Sequence, residues 1–316
     1  MLFEKYDLFK ENKYFNQCHA PYIIEMPNRD LFVSFFAGSH EKAKDVGSWV
    51  ISKNINDEYW SKPRLFLKTE TRSMGGGHFF IPPNKQEIWL FFNLMHGRGW
   101  STCNTARYIY DKAGWHKRDY LRKMIGWNTR GKILVLDNGD YLMPMHDEIL
   151  GYKAYFLISK DSGKHWKAYG PIKTKKGCLE PTVIQLSNGL LYCLLRTKER
   201  EIYEVWSKDR GRSWTKPMTT EIPNPDSMIE LLYLNESNTI ILAYNHSNDK
   251  RSPLNVRISQ DNAHSWSEPS TLEEGEGEYS YPCMILGSDE NIHLVYTSRR
   301  KTIGYIKFDR DWLFKK

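Results

Sequence analysis

Three short stretches of the 316-residue chain combine a serine, an aspartate two residues later and a tryptophan five residues after the aspartate. They read ISKDSGKHW at 158–166, WSKDRGRSW at 206–214 and ISQDNAHSW at 258–266. Hydroxyl and carboxylate oxygens at this spacing could hold a metal ion or a nucleotide. The same side chains also hydrogen-bond the backbone amides of tight turns, in which glycine adopts positive φ. We interpret the motif as a turn that stabilises the fold, and we look for the functional site elsewhere.

The elements between these motifs are short apolar or alternating segments that turn residues interrupt. VLDNGDYL and IQLSNGLLYCL place a turn signal between apolar runs, a pattern typical of β-hairpins. Tryptophans that end complete or degenerate copies of the motif recur at positions 60, 115, 166, 214, 266 and 312. A period of about 50 residues without helical periodicity is typical of propellers with four strands per blade. The sequence therefore predicts an all-β, six-bladed β-propeller that forms a single domain over residues 1–316.

Composition narrows the classes of partner. The net charge is +7, but Lys and Arg are interspersed with Asp and Glu, and basic runs such as KTKK (173–176) and RRK (299–301) are short. This pattern argues against a nucleic-acid interface and indicates only a mild preference for anionic substrates. The aromatic content of 14% suits strands and also the stacking of sugar rings. Apolar runs are too short to cross a membrane, so no membrane span is expected.

Cysteine usage and the N-terminus bear on the compartment. The five cysteines form no CxxC pair and no zinc spacing, and their odd number favours reduced thiols. The N-terminal segment MLFEKYDLFKENKYF is charged and lacks the apolar region of a signal peptide. We expect a cytoplasmic protein, or a secreted or periplasmic one if a leader has been removed. The sequence leaves the oligomeric state open.

Two further stretches carry polar residues that suggest chemistry. His146 begins a polar cluster in MPMHDEIL, but neighbouring residues of an extended chain point to opposite sides, which argues against a metal site. We expect His146, and also Asn245 in AYNHS, to contact substrate at the rim of the propeller funnel. MGGGHF (74–79) lacks the lysine and the following helix of a phosphate-binding loop. No metal and no cofactor are expected.

The repeated turn motif resembles the Asp-box of sialidases and of related propellers built from BNR repeats. Several other stretches are similar to a bacterial sialidase-like branch: QCHAPYIIEMPNRDLFVSFFAGSHEKAKDV, EPTVIQLSNGLLYCLLR, NPDSMIELLYL, LAYNHSNDKRSPL and GEYSYPCMI. Sialidases hold the substrate carboxylate with three arginines and protonate the leaving group with an aspartate. Their nucleophile is a tyrosine that a glutamate assists. The resemblance spans nearly the whole chain and implies a site of this kind.

The resemblance assigns several of these roles to individual residues. Glu180 and Arg196 in EPTVIQLSNGLLYCLLR match the assisting glutamate and the second arginine of the family. Arg251 in RSPLNVRIS resembles the third arginine, and Asp45 in HEKAKDV matches the acid/base aspartate. Arg196 also ends an apolar strand, where a charge without a partner would be costly, so an anion ligand explains its position.

The tyrosine nucleophile of the family corresponds to Tyr281 or Tyr279 in EYSYPCMI. A phenol has a reference pKa of about 10 and needs a neighbouring base before it attacks, a role that the resemblance gives to Glu180. Strand alternation would put both tyrosines on the same face, so the sequence leaves the choice between them open.

Two positions depart from the family pattern. The first arginine of the family lies in an RIP motif, which is HAP here, with His19 in its place. A further family arginine near the acid corresponds to His40 in GSHE. Histidine can be a cation near neutral pH but lacks the planar fork with which arginine holds a carboxylate. The prediction is therefore an anion site made of two arginines, with His19 and His40 reshaping the pocket.

These observations predict an exo-acting glycoside hydrolase that removes a terminal acidic sugar from a glycan, either sialic acid or another 2-keto sugar acid such as Kdo. One alternative keeps the propeller and uses histidine-based chemistry, as a polysaccharide lyase or glycosidase acting on uronates or other sugars. A second alternative is a propeller that binds glycans without catalysis. The expected partner in the first case is an acidic glycan or oligosaccharide.

Overall fold

The structure is a computed structural model that describes residues 1–10, 14–83, 85–112, 114–122, 124–149 and 151–315. Within these residues, antiparallel strands form six sheets, which confirms the predicted six-bladed β-propeller. The N-terminal strand β1 (Phe3–Asp7) belongs to the last blade. Blade 1 contains β2 (Gln17–Glu25), β3 (Asp30–Gly38), β4 (Gly47–Asn54) and β5 (Arg64–Leu67). Blade 2 contains β6 (Met74–Phe80), β7 (Ile88–Met95), β8 (Cys103–Asp111) and β9 (Gly114–Tyr120).

The other four blades follow in chain order. Blade 3 contains β10 (Trp127–Asn128), β11 (Leu134–Val135), β12 (Tyr141–Asp147), β13 (Lys153–Ser159) and β14 (Lys167–Ile172). Blade 4 contains β15 (Cys178–Gln185), β16 (Leu191–Thr197), β17 (Glu201–Ser207) and β18 (Met218–Pro223). Blade 5 contains β19 (Glu230–Leu234), β20 (Thr239–Asn245), β21 (Leu254–Ser259) and β22 (Ser270–Glu273). Blade 6 contains β23 (Tyr279–Leu286), β24 (Ile292–Ser298), β25 (Thr302–Phe308) and β1.

Helices are few and short. Trp100–Thr102 and Asn235–Ser237 are single 3-10 turns, and the α-helix α1 covers Arg310–Phe314. Asp309 caps α1 by accepting a hydrogen bond from the backbone N–H of Trp312 at 2.8 Å. In the described part of the chain, none of these helices has the length or apolar character that crossing a bilayer requires.

The ring closes in blade 6, where both ends of the chain meet. β1 pairs with β25 in an antiparallel register that runs from Phe3 opposite Phe308 to Asp7 opposite Gly304. The outer strand of the last blade is therefore supplied by the N-terminus, and its backbone hydrogen bonds hold the first and last blades together.

Tryptophans of the sequence period fill the spaces between neighbouring blades. Trp214 of blade 4 stacks on Phe156 of blade 3 with ring centroids 4.2 Å apart. Trp60 of blade 1 approaches Tyr305 of blade 6, with centroids 5.3 Å apart. Aromatic pairs of this kind bury large apolar areas and add a favourable ring–ring contact. These contacts between blades explain why the tryptophans recur once per blade.

The three complete Asp-box turns form the same hydrogen-bond network. In the copy at 206–214, Ser207 Oγ donates to Asp209 Oδ1 at 2.9 Å and accepts from the N–H of Gly211 at 2.8 Å. Asp209 Oδ1 also accepts from the N–H of Ser213 at 2.8 Å. The copies at 158–166 and 258–266 repeat all three bonds at 2.8–2.9 Å. These turns follow the third strand of a blade and stabilise its backbone, which confirms their structural role.

At the end of the propeller away from the Asp-box turns, the innermost strands of four blades have irregular pairing. Strand pairing shifts register near the start of β2, β6, β15 and β23. Three non-glycine residues at these shifts have positive φ, namely Ala20 at 54°, Glu180 at 44° and Tyr281 at 57°. A bulge of this kind bends the strand and changes the direction of its side chains. The bulges therefore turn residues of several blades toward one place at this end of the ring.

Candidate active site

A cavity of about 270 Å³ lies at the end of the propeller where the inner strands begin. Its charged lining residues are Lys42, Arg130, Arg196, Lys198, Arg251, Arg300, Glu41, Glu148 and Glu180. Six cationic and three anionic side chains give the lining an excess of positive charge, which favours an anionic ligand. The volume is close to the lower limit for small-molecule sites, so the cavity suits a compact ligand.

Tyr281 joins the charged residues of blade 4 across this cavity. Its hydroxyl donates to Glu180 Oε1 at 3.2 Å and accepts from Arg196 Nη1 at 3.0 Å. The same Arg196 nitrogen donates to Glu180 Oε2 at 2.6 Å, and Arg196 Nε donates to Asp226 Oδ1 at 2.7 Å. The phenol oxygen is therefore held at a fixed place with a carboxylate within hydrogen-bond distance.

Burial and charge set the protonation of this pair. Burial, together with the nearby Glu180 charge, raises the pKa of Tyr281 to about 12, although Arg196 and Arg251 oppose the change. Burial alone would also raise the pKa of Glu180, but the charge of Arg196 and smaller effects of His146 and Arg130 outweigh it and lower that pKa. Glu180 is thus an ionised acceptor beside a protonated phenol, an arrangement that suits proton transfer from Tyr281 to Glu180 during attack.

Four arginines line the cavity, namely Arg130, Arg196, Arg251 and Arg300, and the last three form one wall. The guanidinium carbon of Arg251 lies 5.5 Å from the centroid of the Tyr281 ring, and Arg251 Nη1 donates to Glu278 Oε1 at 2.9 Å. Arg300 Nε donates to Glu278 Oε2 at 2.7 Å, so Glu278 bridges the two arginines. With Arg196, these side chains form a cationic wall of three guanidinium groups. The sequence analysis predicted two of them.

His19 lies in the lining but supplies no positive charge at neutral pH, contrary to the possibility raised by the sequence. Burial, and then the charge of Arg300, lower the pKa of His19 to about 3. Its Nδ1 lies 3.0 Å from the hydroxyl of Thr297, and its ring centroid is 4.3 Å from that of Tyr281. Arg300 Nη2 is 3.5 Å from His19 Nε2. An arginine from the connection between β24 and β25 therefore lies beside the uncharged His19 ring.

Only one of the two candidate tyrosines lines the cavity. The Tyr279 ring packs in the apolar core of blades 5 and 6, near Tyr296, and its hydroxyl donates to the backbone carbonyl of Glu276 at 3.2 Å. The expectation from strand alternation is wrong here because the bulge between Ser280 and Cys283 breaks the alternation. The positive φ of Tyr281 turns its side chain toward the cavity.

Asp45 and His40 lie outside the lining of this cavity. Both are exposed on the connection between β3 and β4. Asp45 Oδ1 and Oδ2 accept hydrogen bonds from the hydroxyl and the N–H of Ser39, both at 2.8 Å. His40 Nδ1 is 3.2 Å from the Ser39 hydroxyl. In this conformation the Asp45 carboxylate closes a local turn, and the lining residue of the same connection is Glu41.

The two expected rim residues have different positions. His146 lines the cavity and its Nε2 is 3.2 Å from Glu148 Oε1. Asn245 is fully buried, and its side-chain amide donates to the carbonyls of Pro253 at 2.9 Å and Tyr279 at 2.8 Å. Contrary to the expectation of a rim contact, Asn245 therefore holds blades 5 and 6 together beneath the site.

The charged lining residues that the sequence analysis did not assign to the site include Arg300, Glu41 and Arg130. Arg300 belongs to the short basic run RRK, and Glu41 follows His40 directly. Arg130 follows β10, and its guanidinium carbon is 5.7 Å from the Tyr281 ring centroid. Arg300 and Glu41 both lie in sequence segments named above, but a single charged residue in a sequence does not show whether its side chain faces solvent or a cavity. No pattern in the sequence distinguished Arg130.

Comparisons with known proteins agree with this architecture. The family model of the BNR repeat-like domain matches residues 29–294. A Hadza microbial sialidase shares 16% identity at a TM-score of 0.79, and the alignment covers 94% of this chain and 66% of the sialidase chain. The NanB sialidase of Streptococcus pneumoniae shares 13% identity at a TM-score of 0.81, and the alignment covers 97% of this chain and 70% of NanB. A Dyadobacter fermentans protein of unknown function shares 14% identity at a TM-score of 0.81, and the alignment covers 98% of this chain and 99% of that protein.

These likenesses establish the fold and leave the reaction to be argued from the site, because the identities are low. The chain spans about two thirds of the length of the two sialidases and nearly all of the Dyadobacter protein. No curated protein sequence matches the chain. The family model covers most of the sequence, and the neighbours share its six-bladed propeller. The chain therefore belongs to the BNR repeat-like domain family and has a propeller of the sialidase type.

Proposed function

We propose that the protein is an exo-acting glycoside hydrolase that removes a terminal acidic sugar, with sialic acid or another 2-keto sugar acid such as Kdo as the substrate class. The observation that carries this proposal is the position of the Tyr281 hydroxyl between the Glu180 carboxylate and the Arg196 guanidinium, inside a cationic cavity. A glycan-binding surface has no need for a partly buried phenol that is hydrogen-bonded to a buried carboxylate.

Tyr281 acts as the nucleophile. Its oxygen attacks the anomeric carbon while its proton passes to Glu180, and the bond to the leaving oxygen breaks as that oxygen takes up a proton. A glycosyl–tyrosine intermediate results, and water then hydrolyses it. A neutral phenol approaches an anionic sugar without the repulsion that a carboxylate nucleophile would meet.

Arg196, Arg251 and Arg300 bind the carboxylate of the sugar. All three line the cavity, and guanidinium groups bind carboxylates through paired, charge-assisted hydrogen bonds. Removal of single terminal residues fits a cavity of about 270 Å³, which has room for a sugar unit but not for a bound chain.

A second candidate reaction is β-elimination at a uronic acid. The observation that favours it is the neutral His19, whose ring centroid lies 4.3 Å from that of Tyr281 beside Arg300. A neutral imidazole or a phenolate can remove the proton next to a uronate carboxylate while arginine neutralises the developing charge. This reaction produces an unsaturated sugar and no free 2-keto acid.

A panel of substrates tests these alternatives. The purified protein is incubated with terminal sialosides, Kdo-glycosides and uronate-capped oligosaccharides, and the products are identified by mass spectrometry and ultraviolet absorbance. Release of a free 2-keto sugar acid supports the proposal. An unsaturated uronate product supports elimination instead. Saturable binding of an acidic glycan without any product would contradict both reactions and favour a binding protein.

A further inference from the structure

Glu41 is held in the cavity wall by partners from two other blades. It lies on the connection that follows β3 of blade 1, and its side chain is 27% exposed. Its Oε1 accepts a hydrogen bond from the indole N–H of Trp100 at 2.9 Å, and its Oε2 accepts from Arg300 Nη1 at 2.7 Å. Asp45, on the same connection, is exposed and bonded to Ser39 outside this wall.

Glu41 and Glu180 belong to blades that lie opposite each other in the ring. Blade 1 supplies Glu41 and blade 4 supplies Glu180. Two blades separate them in either direction around the ring of six, so the two blades face each other across the axis. Glu148, the third carboxylate of the lining, comes from blade 3 and lies within hydrogen-bond distance of His146. His146 is close enough to Glu180 to contribute to the lowering of the Glu180 pKa, so Glu148 lies on the Glu180 side of the cavity. Glu41 is therefore the carboxylate that approaches a bound sugar from the side away from Glu180.

We propose that Glu41 is the proton donor to the leaving group and that the substrate carboxylate prepares it for this role by taking over Arg300. The inference rests on the proposed hydrolase function. Arg300 holds Glu41 in the free protein and belongs to the three-arginine wall that would bind the sugar carboxylate. A substrate anion therefore competes with Glu41 for the same guanidinium group.

The electrostatics of the wall support this exchange. Burial alone would raise the pKa of Glu41, but the hydrogen bonds from Arg300 and Trp100 and the charge of Arg300 outweigh it and lower that pKa. When the substrate carboxylate engages Arg300, Glu41 loses its main cationic partner and gains an anionic neighbour. Both changes favour the protonated carboxyl. The charged group bonded to Glu41 is Arg300, which links it to Glu278. His19 and Tyr281 are titratable groups near Glu41, and Lys42 lines the same cavity.

The proton balance of the reaction closes with Glu41 in this role. In the first step the Glu41 carboxyl gives its proton to the glycosidic oxygen as the bond from that oxygen to the anomeric carbon breaks. Tyr281 forms the new bond to the anomeric carbon and its proton passes to Glu180. In the second step the Glu41 carboxylate takes a proton from the attacking water, and Glu180 returns its proton to the Tyr281 oxygen as that oxygen leaves. Both carboxyl groups regain their starting states.

The dependence of the rate on the leaving group tests the assignment. Saccharide leaving groups require protonation, whereas a 4-nitrophenol leaving group of the same sugar departs as a stable anion. We expect E41Q to lower kcat/KM for the saccharide substrate by roughly 10²- to 10⁴-fold and for the nitrophenyl substrate far less. The alkaline limb of the pH profile for the saccharide substrate should also disappear. E41D, which keeps a carboxyl group, should recover part of the saccharide activity.

D45N tests the rival assignment, in which Asp45 is the donor, and K44Q on the same exposed connection is the control for nonspecific effects. W100F removes the indole hydrogen bond but leaves the carboxyl group, so it should affect both substrates to a similar extent. A selective loss of saccharide activity in D45N, together with full activity in E41Q, would overturn the inference while leaving the hydrolase proposal intact. If the wild-type protein hydrolyses neither substrate, the proposed function itself fails.

Discussion

The two ends of the propeller are built in opposite ways. At the Asp-box end, the same Ser–Asp–backbone network recurs three times at 2.8–2.9 Å, and the serine and aspartate side chains of each turn find their partners locally. At the cavity end, bulges break the repeat, and charged groups pair both within a blade, as Glu180 does with Arg196, and between blades, as Glu41 does with Arg300. Glu180 and Tyr281, which carry the proposed chemistry, both have positive φ.

This difference between the two ends indicates that the Asp-box end stabilises the fold and the cavity end carries the proposed chemistry. A non-glycine residue with positive φ costs roughly 1–3 kcal/mol, and it persists only where the surrounding structure holds it. The Asp-box turns, the tryptophans between blades and the closure through β1 provide that support. Substitutions at the Asp-box end should therefore change stability and leave the reaction unaffected, whereas substitutions in the cavity should do the reverse.

The largest effect is expected for Y281F. Loss of the hydroxyl removes the nucleophile while Glu180 and Arg196 stay paired, so activity on the substrate that the panel identifies should fall by at least about 10³-fold. The melting temperature should change by no more than about 1–2 °C. Y279F is the matched control, since that ring lies in the core outside the cavity, and it should keep nearly full kcat. Comparable losses in both variants would remove the distinction between the two tyrosines.

A smaller effect is expected for R300K. Lysine keeps the positive charge but lacks the planar fork that binds a carboxylate, so KM should rise by about 10-fold with a smaller change in kcat. R299K alters the exposed neighbour, which pairs with Asp7 at 3.3 Å, and should leave KM unchanged. Steady-state kinetics of both variants provide the comparison. An unchanged KM in R300K would exclude Arg300 from the anion site.

At the Asp-box end, D209A should destabilise the protein by about 1–2 kcal/mol, because the turn loses the acceptor for Ser207 and Ser213 while solvent replaces part of the interaction. Urea unfolding measures the change, and kcat/KM at a temperature well below melting should equal that of the wild type. A marked loss of activity in the folded variant would show that the two ends are coupled.

The smallest effect concerns pH and His19. Its folded pKa of about 3 lies below the unfolded value of about 6.5, so the unfolded state binds the proton first as the pH falls. The contribution to stability is complete above the unfolded pKa and is lost as the pH falls toward the folded one. Between about pH 7 and about pH 5.5, this group should lower the free energy of unfolding by about 1 kcal/mol.

H19Q should lack that part of the pH dependence, whereas H40Q, which changes an exposed histidine, should keep it. Urea unfolding of the three proteins at both pH values measures the difference. An equal decrease in the wild type and in H19Q would mean that His19 is not held neutral by the fold.

The fold was predictable because its signals are local and repeated. Each tryptophan and each Asp-box turn depends on a few neighbouring residues, so the period alone indicates the number of blades. The choice of Tyr281 over Tyr279 was not predictable, because positive φ at a non-glycine residue leaves no mark in the sequence. Arg300 resembled a surface charge for a similar reason: its role depends on blades that are distant in the chain. Asn245 bonds backbone carbonyls of blades 5 and 6, and a polar residue next to a loop gives no sign in the sequence that it has such a structural role.

The most direct test of the central claim is to trap the covalent intermediate. The panel identifies the sugar, and an analogue fluorinated next to its anomeric carbon slows hydrolysis of the glycosyl–enzyme. Peptide mapping by mass spectrometry then locates the attached sugar. We predict that it lies on Tyr281 and is absent from Y281F. Attachment to another residue, or turnover of the analogue without any adduct, would contradict the account.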